Sequence, residues 1–315
     1  ITGSSTAAVL TSGALVAPVL IRLGVPPLQT AAAIAMGAIY GMIAPPINIP
    51  AMIIGGGIDM PYVGFGLPLL ICTMPLAGVT ALLLIAPHRR KGAGDESCLE
   101  AELSRMERNP MSFRLFLPLL VLVVLMGGER LFPKIWPGLG MPLDFLLAAA
   151  SGLLSGVRWN PLETATEAVR DALPVMGILM GVGMFIQIMT LTGVRGFVVV
   201  SALAIPAWLL YLSIATSMPL FGAVSAFGSA SVLGVPFVLA LLGRNEIIVA
   251  SALSLIAGLG DLMPPTALAG IFAAQVVGEK NYFKVLKHCL VPGLLTAGWG
   301  IAVIYGAKAI AGILY

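Results

Sequence analysis

Asp261 is a carboxylate in the middle of an apolar run that extends from residue 247 to residue 277. Around it stand Gly258, Gly260 and the stretch Leu262-Met263-Pro264-Pro265-Thr266. A run of this length could cross a bilayer as a helix, which takes roughly 20 apolar residues. A carboxylate at mid-membrane costs ~2.5–3.5 kcal/mol on insertion scales, so it needs a partner. The Pro-Pro pair breaks the helix at the same point, because proline lacks an N–H and clashes with the preceding turn. Bare backbone survives in hydrocarbon only where protein or a polar cavity covers it. A helix broken beside an acid is the wall expected of a transport site. A carboxylate that only caps the freed N–H groups of the broken helix would explain the same residues.

The device occurs twice. Gly41-Met42-Ile43-Ala44-Pro45-Pro46-Ile47-Asn48 has the same order of glycine, apolar residues and Pro-Pro. An offset of 219 carries Gly24 to Gly243, Gly41 to Gly260 and Pro45-Pro46 to Pro264-Pro265. It also lays Gly3-Ser4-Ser5-Thr6 on Gly222-Ala223-Val224-Ser225. This ladder predicts an internal repeat of two membrane halves.

Each half then brings a small-residue tip and a helix break to one depth. Helix ends leave carbonyls unpaired at C-termini and N–H groups unpaired at N-termini. The carbonyls suit a hard cation such as Na⁺, and the N-termini suit carboxylate oxygens. The expected Na⁺ ligands are Gly3, Ser5, Ala44, Asn48, Gly222, Ser225, Gly260, Asp261 and Thr266. The expected substrate contacts are Ser4, Ser5, Thr6, Asn48, Ser225 and Thr266, with Ser229 adding a further hydroxyl near the second tip. An oxygen-only set excludes a soft-metal centre. Packing is the alternative for any single Ser, Thr or Gly, because small residues let membrane helices approach closely. Gln187 reads as an interhelical hydrogen bond, and the scattered methionines as core and lipid-facing filler.

The elements that must carry these residues lie in a very apolar chain. Of its 315 residues 59% are hydrophobic and 10% charged, with mean hydropathy +1.03, whereas soluble domains carry about 25% charged residues. This is an all-α integral membrane protein. The net charge of +3 does not point to nucleic acid, because the basic residues sit in loops where the positive-inside rule accounts for them. Cys72, Cys98 and Cys289 are odd in number and far apart, and suggest neither disulfides nor a metal cluster. His88 and His288 are read as loop residues.

Residues 3–21 predict a short helix, residues 28–54 a helix broken at 44–50, and residues 63–86 a span. The polar stretch 87–112 divides the halves, with a surface helix expected over 98–106. Spans follow at 113–131, 141–157 and 174–192, with a short amphipathic helix from Pro161 to Asp171. A helix over 193–217 should halt at Met218-Pro219, before a tip at 221–231 and an exit arm at 232–242. After the second broken helix come an amphipathic segment at 278–289 and a last span at 290–314. The domains expected are a first repeat at 1–86, present only in its C-terminal part, a cytoplasmic linker at 87–112 and a second repeat at 113–315. The chain begins at Ile1 without an initiator Met or signal peptide, so an upstream counterpart of 113–219 is expected beyond it.

Putting 87–112 inside leaves 12 of the 17 Lys and Arg inside and five (Arg130, Lys134, Arg195, Arg244, Lys308) outside. This topology closes only if both tips belong to re-entrant hairpins and the two halves are inverted. The fold expected is therefore two inverted repeats, each with one re-entrant hairpin and one broken transmembrane helix.

Gly3-Ser4-Ser5-Thr6-Ala7-Ala8, Pro18, Leu23-Gly24, Ala44-Pro45-Pro46-Ile47, Leu262-Met263-Pro264-Pro265-Thr266 and the segment from Gly181 to Gly193 resemble a known family. It is the large membrane (M) subunit of tripartite ATP-independent periplasmic (TRAP) transporters, within the ion transporter superfamily. The resemblance implies a Na⁺-driven elevator that imports organic anions, such as C4-dicarboxylates, across the bacterial inner membrane. It also implies a small membrane subunit on the scaffold and an extracytoplasmic substrate-binding protein. Ala223-Val224 departs from a polar pair at the second tip, and Asp261 adds a charge. The rival readings are a stand-alone Na⁺- or H⁺-coupled carboxylate carrier and an ion channel built on re-entrant loops. An enzyme is not expected, since no Ser-Lys, paired-Asp or His-x-x-x-His grouping lies in a span.

Overall fold

In a computed structural model of the chain, residues 3–89, 116–131, 141–155, 160–204 and 206–314 are described. They are helical, with no strand among them. The chain divides into two compact units, Ile1–Gly94 with Met176–Tyr315, and Asp95–Val175.

The larger unit opens with α1 (Ser5–Ala8), a π-helical segment Val9–Gly13 and α2 (Ala14–Arg22). Then come α3 (Pro27–Ile43), α4 (Ile49–Gly56), α5 (Gly66–Leu84) and α6 (Ala86–Arg89). In the smaller unit α7 (Leu117–Leu131) packs on α8 (Met141–Ser151), and Asp144 and Ala148 are buried. Helix α9 (Pro161–Leu191) leads into α10 (Val194–Ala204) and α11 (Ala207–Gly222). Next are α12 (Ala226–Ser229), a second π segment Ala230–Gly234, and α13 (Val235–Ala240). The end of the chain is α14 (Glu246–Gly258) with a 3₁₀ turn Leu259–Leu262, α15 (Leu268–Val276), α16 (Tyr282–Tyr305) and α17 (Ala307–Leu314). Ser5–Arg22, Gly66–Leu84 and Tyr282–Tyr305 are long and apolar enough to cross a membrane.

Helix α14 is the axis of the larger unit. Every residue from Ile248 to Gly258 is buried, so its apolar character runs all round rather than along one stripe. Its Ala and Ser positions keep it thin enough for α3, α4, α5, α11 and α16 to pack against it. A polar knot ties three of the surrounding elements. The Tyr40 hydroxyl lies 2.9 Å from both Thr80 Oγ1 and Thr296 Oγ1, and Thr296 donates to the Pro292 carbonyl at 2.7 Å.

The halves recur in structure. Pro27 and Glu246 begin α3 and α14, and Ile49 and Leu268 begin α4 and α15, both pairs 219 apart. Both Pro-Pro bonds are cis. At the tips the spacing is different. Helices Ser5–Ala8 and Ala226–Ser229 and the π segments Val9–Gly13 and Ala230–Gly234 are 221 apart. Ser4 therefore matches Ser225, not Ala223, because the second half is two residues shorter between tip and break.

Several sequence boundaries shift. The short helix at 161–171 and the span at 174–192 are one helix, Pro161–Leu191. The helix expected over 193–217 is two, parted at Pro206, and the second runs through Met218-Pro219 to Gly222. The amphipathic segment at 278–289 and the last span merge in Tyr282–Tyr305, which passes through Pro292. Proline removes one helical hydrogen bond, and membrane helices tolerate it where neighbours re-satisfy the backbone. His288 thus sits on α16, its Nδ1 2.9 Å from the Lys284 carbonyl, and not in a loop. Ahead of α16, Glu279 accepts from the Asn281 N–H (3.0 Å) and pairs with Lys284 at 3.4 Å. The Asn281 N–H, with help from the lysine, holds this exposed carboxyl below the usual range. The helix expected over 98–106 lies outside the described residues.

Candidate functional site

The first tip starts where Gly3, at φ +70°, turns the chain into α1. That conformation is open to glycine at little cost. A side chain there would also strike Ile47 at 2.9 Å, so the tip lies directly on the first break. Ser4 is the N-cap of α1, its Oγ accepting from the Ala7 N–H at 3.3 Å. Ser5 is buried and donates to Asp261 Oδ2. The first tip therefore reaches both breaks. Thr6 is half-buried one residue on.

At the first break α3 stops at Ala44, whose ψ of 147° is extended. The residue before a proline is pushed out of the helical region, which explains the stop. The chain re-enters helix at Asn48, the N-cap of α4. Asn48 is fully buried and its amide is busy. Its Oδ1 accepts from Ala51 N–H at 2.9 Å, and its Nδ2 donates to Ile43 O at 3.0 Å and Ser254 Oγ at 2.9 Å. Ser254 donates in turn to the Ser251 carbonyl at 2.7 Å. Neither serine was expected at the site. Their i, i+3 spacing inside an otherwise apolar helix is the signal that points to one polar line on α14.

The second tip follows the same plan with different groups. Ser225 is the N-cap of α12, accepting from the Gly228 N–H at 3.2 Å, and Ser229 donates to the Met218 carbonyl at 2.7 Å. The Ala223 carbonyl accepts from Thr266 twice, from Oγ1 at 2.6 Å and from the N–H at 3.3 Å. Gly222 and Gly260 meet backbone to backbone. Thr266 is thereby fixed to the tip, and at the position equivalent to Asn48 stands Ala267, with φ +38° and no side-chain cap.

Among the described residues Asp261 is the only charged one placed in this cluster, and it is 7% exposed. Its hydrogen-bond partner is the Ser5 hydroxyl, and no Lys, Arg or His reaches it among the described residues. No group of three or more His, Cys, Asp or Glu that could hold a metal ion occurs among the described residues. A cation received here would meet hydroxyls, carbonyls and this single carboxylate. Of the predicted ligands, the structure joins Ser5 to Asp261, Gly222 to Gly260 and Thr266 to Ala223. Ser4, Asn48 and Ser225 are set as caps.

A family model described as the tripartite ATP-independent periplasmic transporter, DctM component, matches residues 1–296. The chain belongs to the DctM family. Curated proteins and solved structures yield no match. The DctM assignment makes the chain a multi-pass membrane protein and the permease component of a TRAP-type secondary transporter. It also implies a small membrane subunit and a periplasmic binding protein as partners.

Proposed function

We propose that this DctM subunit imports organic anions of the carboxylate class, coupled to Na⁺, across a bacterial inner membrane. The observation that carries the reading is the buried Asp261 carboxylate, held by the Ser5 hydroxyl and faced by no basic side chain among the described residues. Burying an unpaired charge is expensive, and a hard cation is the partner that oxygen ligands suit; a single carboxylate matches the single charge of Na⁺. In this reading Na⁺ lies among Asp261, Ser5 and the backbone at Gly3, Ala44, Gly222 and Gly260, with Asn48, Ser225 and Thr266 completing the shell. The anion lies against Ser4, Ser5, Thr6, Asn48, Ser225 and Thr266. The N-termini of α4 and the two tip helices supply positive partial charge where no lysine or arginine does. The two tips are re-entrant and the halves inverted, so that the same site faces either side in turn.

The test is uptake into proteoliposomes holding the subunit with its small membrane partner and binding protein. The panel runs from acetate, succinate and citrate to a sialic acid. Accumulation of one of these that collapses without an inward Na⁺ gradient is the expected result. Uptake independent of Na⁺ removes the coupling, and a conductance without saturation replaces the carrier with a channel.

A further inference from the structure

The second tip is only as steady as its root, and one residue holds the root. Arg244 lies in the turn between α13, the exit arm of the hairpin, and α14. Its guanidinium donates to the Ile304 carbonyl at 2.8 Å and to the Tyr305 carbonyl. The other branch donates to the Tyr211 hydroxyl at 2.6 Å. The cation also stands 5.8 Å from the Tyr211 ring and 5.6 Å from the Tyr305 ring, which meet edge to face. Tyr211 is on the entry arm, in the first turns of α11, and Ile304 and Tyr305 end α16.

No carboxylate balances Arg244 among the described residues. The last carbonyls of α16 do so, at the negative end of the helix dipole. Two aromatic faces complete the cage, each worth about 0.5–1 kcal/mol or more as it is desolvated. Only a planar fork can reach two carbonyls and a phenol while lying between rings; a lysine offers one compact charge.

We propose that Arg244 is a positioning residue that clasps both arms of the Ala207–Ala240 hairpin to the end of α16. With the root closed, the tip at Ala223 cannot swing away from Gly260 and Thr266. The hairpin then travels with α14 and α16 as one body during transport and does not open as a gate. This rests on the reading of the tip as a wall of the transport site.

Two measurements decide it. Tyr211→Cys with Tyr305→Cys, joined through two disulfides by a short bis-methanethiosulfonate in the reconstituted transporter, should keep at least half of the uncrosslinked uptake. Uptake abolished by the cross-link and restored by reductant overturns the clasp. Spin labels on Leu212→Cys and Lys308→Cys, both exposed positions, should give one distance distribution with or without Na⁺. A second, longer population appearing with Na⁺ also overturns it. The distance measurement stands even if no panel carboxylate is imported, in which case the transport reading fails and the clasp does not. Arg244→Gln should broaden the distribution, while Arg244→Lys should recover it only in part. Equal, unbroadened distributions in both variants would show that the guanidinium holds nothing.

Discussion

A methyl group placed on Gly260 would stand 2.4 Å from the Cα of Gly222, and one on Gly222 would stand 2.8 Å from the Cα of Gly260. The second tip and the second break thus touch through bare backbone on both sides. Contact at this range leaves no side chain to move aside. Gly260→Ala should therefore part the tip from the break and cost about 1–3 kcal/mol, the usual penalty of overpacking. Uptake should fall with it. Gly298→Ala, on α16 with open space around it, is the matched control. Thermal melts in which both variants behave alike would show that the contact carries no load.

The Ser5–Asp261 pair predicts a change in Na⁺ dependence. Asp261→Asn removes the charge and keeps the shape, and should raise the Na⁺ concentration for half-maximal uptake at least tenfold, equivalent to ~1.4 kcal/mol. Ser5→Ala should raise it by less, having removed one neutral oxygen. Na⁺ titrations that superimpose for wild type and both variants would leave Asp261 as a tie between the first tip and the second break that binds no ion.

Asn48 has three bonds to lose and Ser254 two. Asn48→Leu strips the cap of α4, at about 1 kcal/mol, and leaves Ile43 O and Ser254 Oγ without their donor, at about 1–3 kcal/mol more. Ser254→Ala deprives one Asn48 N–H of its acceptor and the Ser251 carbonyl of a hydroxyl donor, and leaves the cap of α4 in place. Melting temperatures should fall in both, further for Asn48→Leu. The reverse order would mean that the cap geometry is held by α4 packing alone.

Cys98 lies in the stretch 87–112 that the basic residues place inside, and Gly243 sits beside Arg244, which they place outside. In intact cells a membrane-impermeant thiol reagent should miss Cys98 and label Gly243→Cys. Labelling of Cys98 with protection at position 243 would invert the topology and with it the assignment of the two hairpins.

The breaks were legible because proline and its preceding residue act locally. Ala44 and Met263 leave the helix where the Pro-Pro pairs require it. The single proline Pro219 misleads for the opposite reason. It sits inside a helix that runs on to Gly222, as Pro292 sits inside α16, and local chemistry carries no trace of the neighbours that permit this. The tip register was misjudged by two residues, since glycine and serine are frequent enough there to match at a wrong offset. What identifies the true register is the capping role shared by Ser4 and Ser225, and a role becomes visible only with the backbone. The pairing of Ser5 with Asp261, 256 residues away, lay beyond any local pattern.

The two tips and the first break each begin a helix under a capping Ser or Asn, whose oxygen accepts one backbone N–H although it has two lone pairs, and in serine a hydroxyl proton as well. What the cluster offers a visiting anion is therefore neutral hydroxyls and peptide ends, the latter near half a charge each. A handhold of that kind is loose, and looseness is useful to a carrier that must let go. An arginine in its place would grip a carboxylate through two charged hydrogen bonds and would have to break both at every release. Peptide ends also have no proton to lose across the physiological range, so their hold on an anion stays the same whichever side of the membrane it faces.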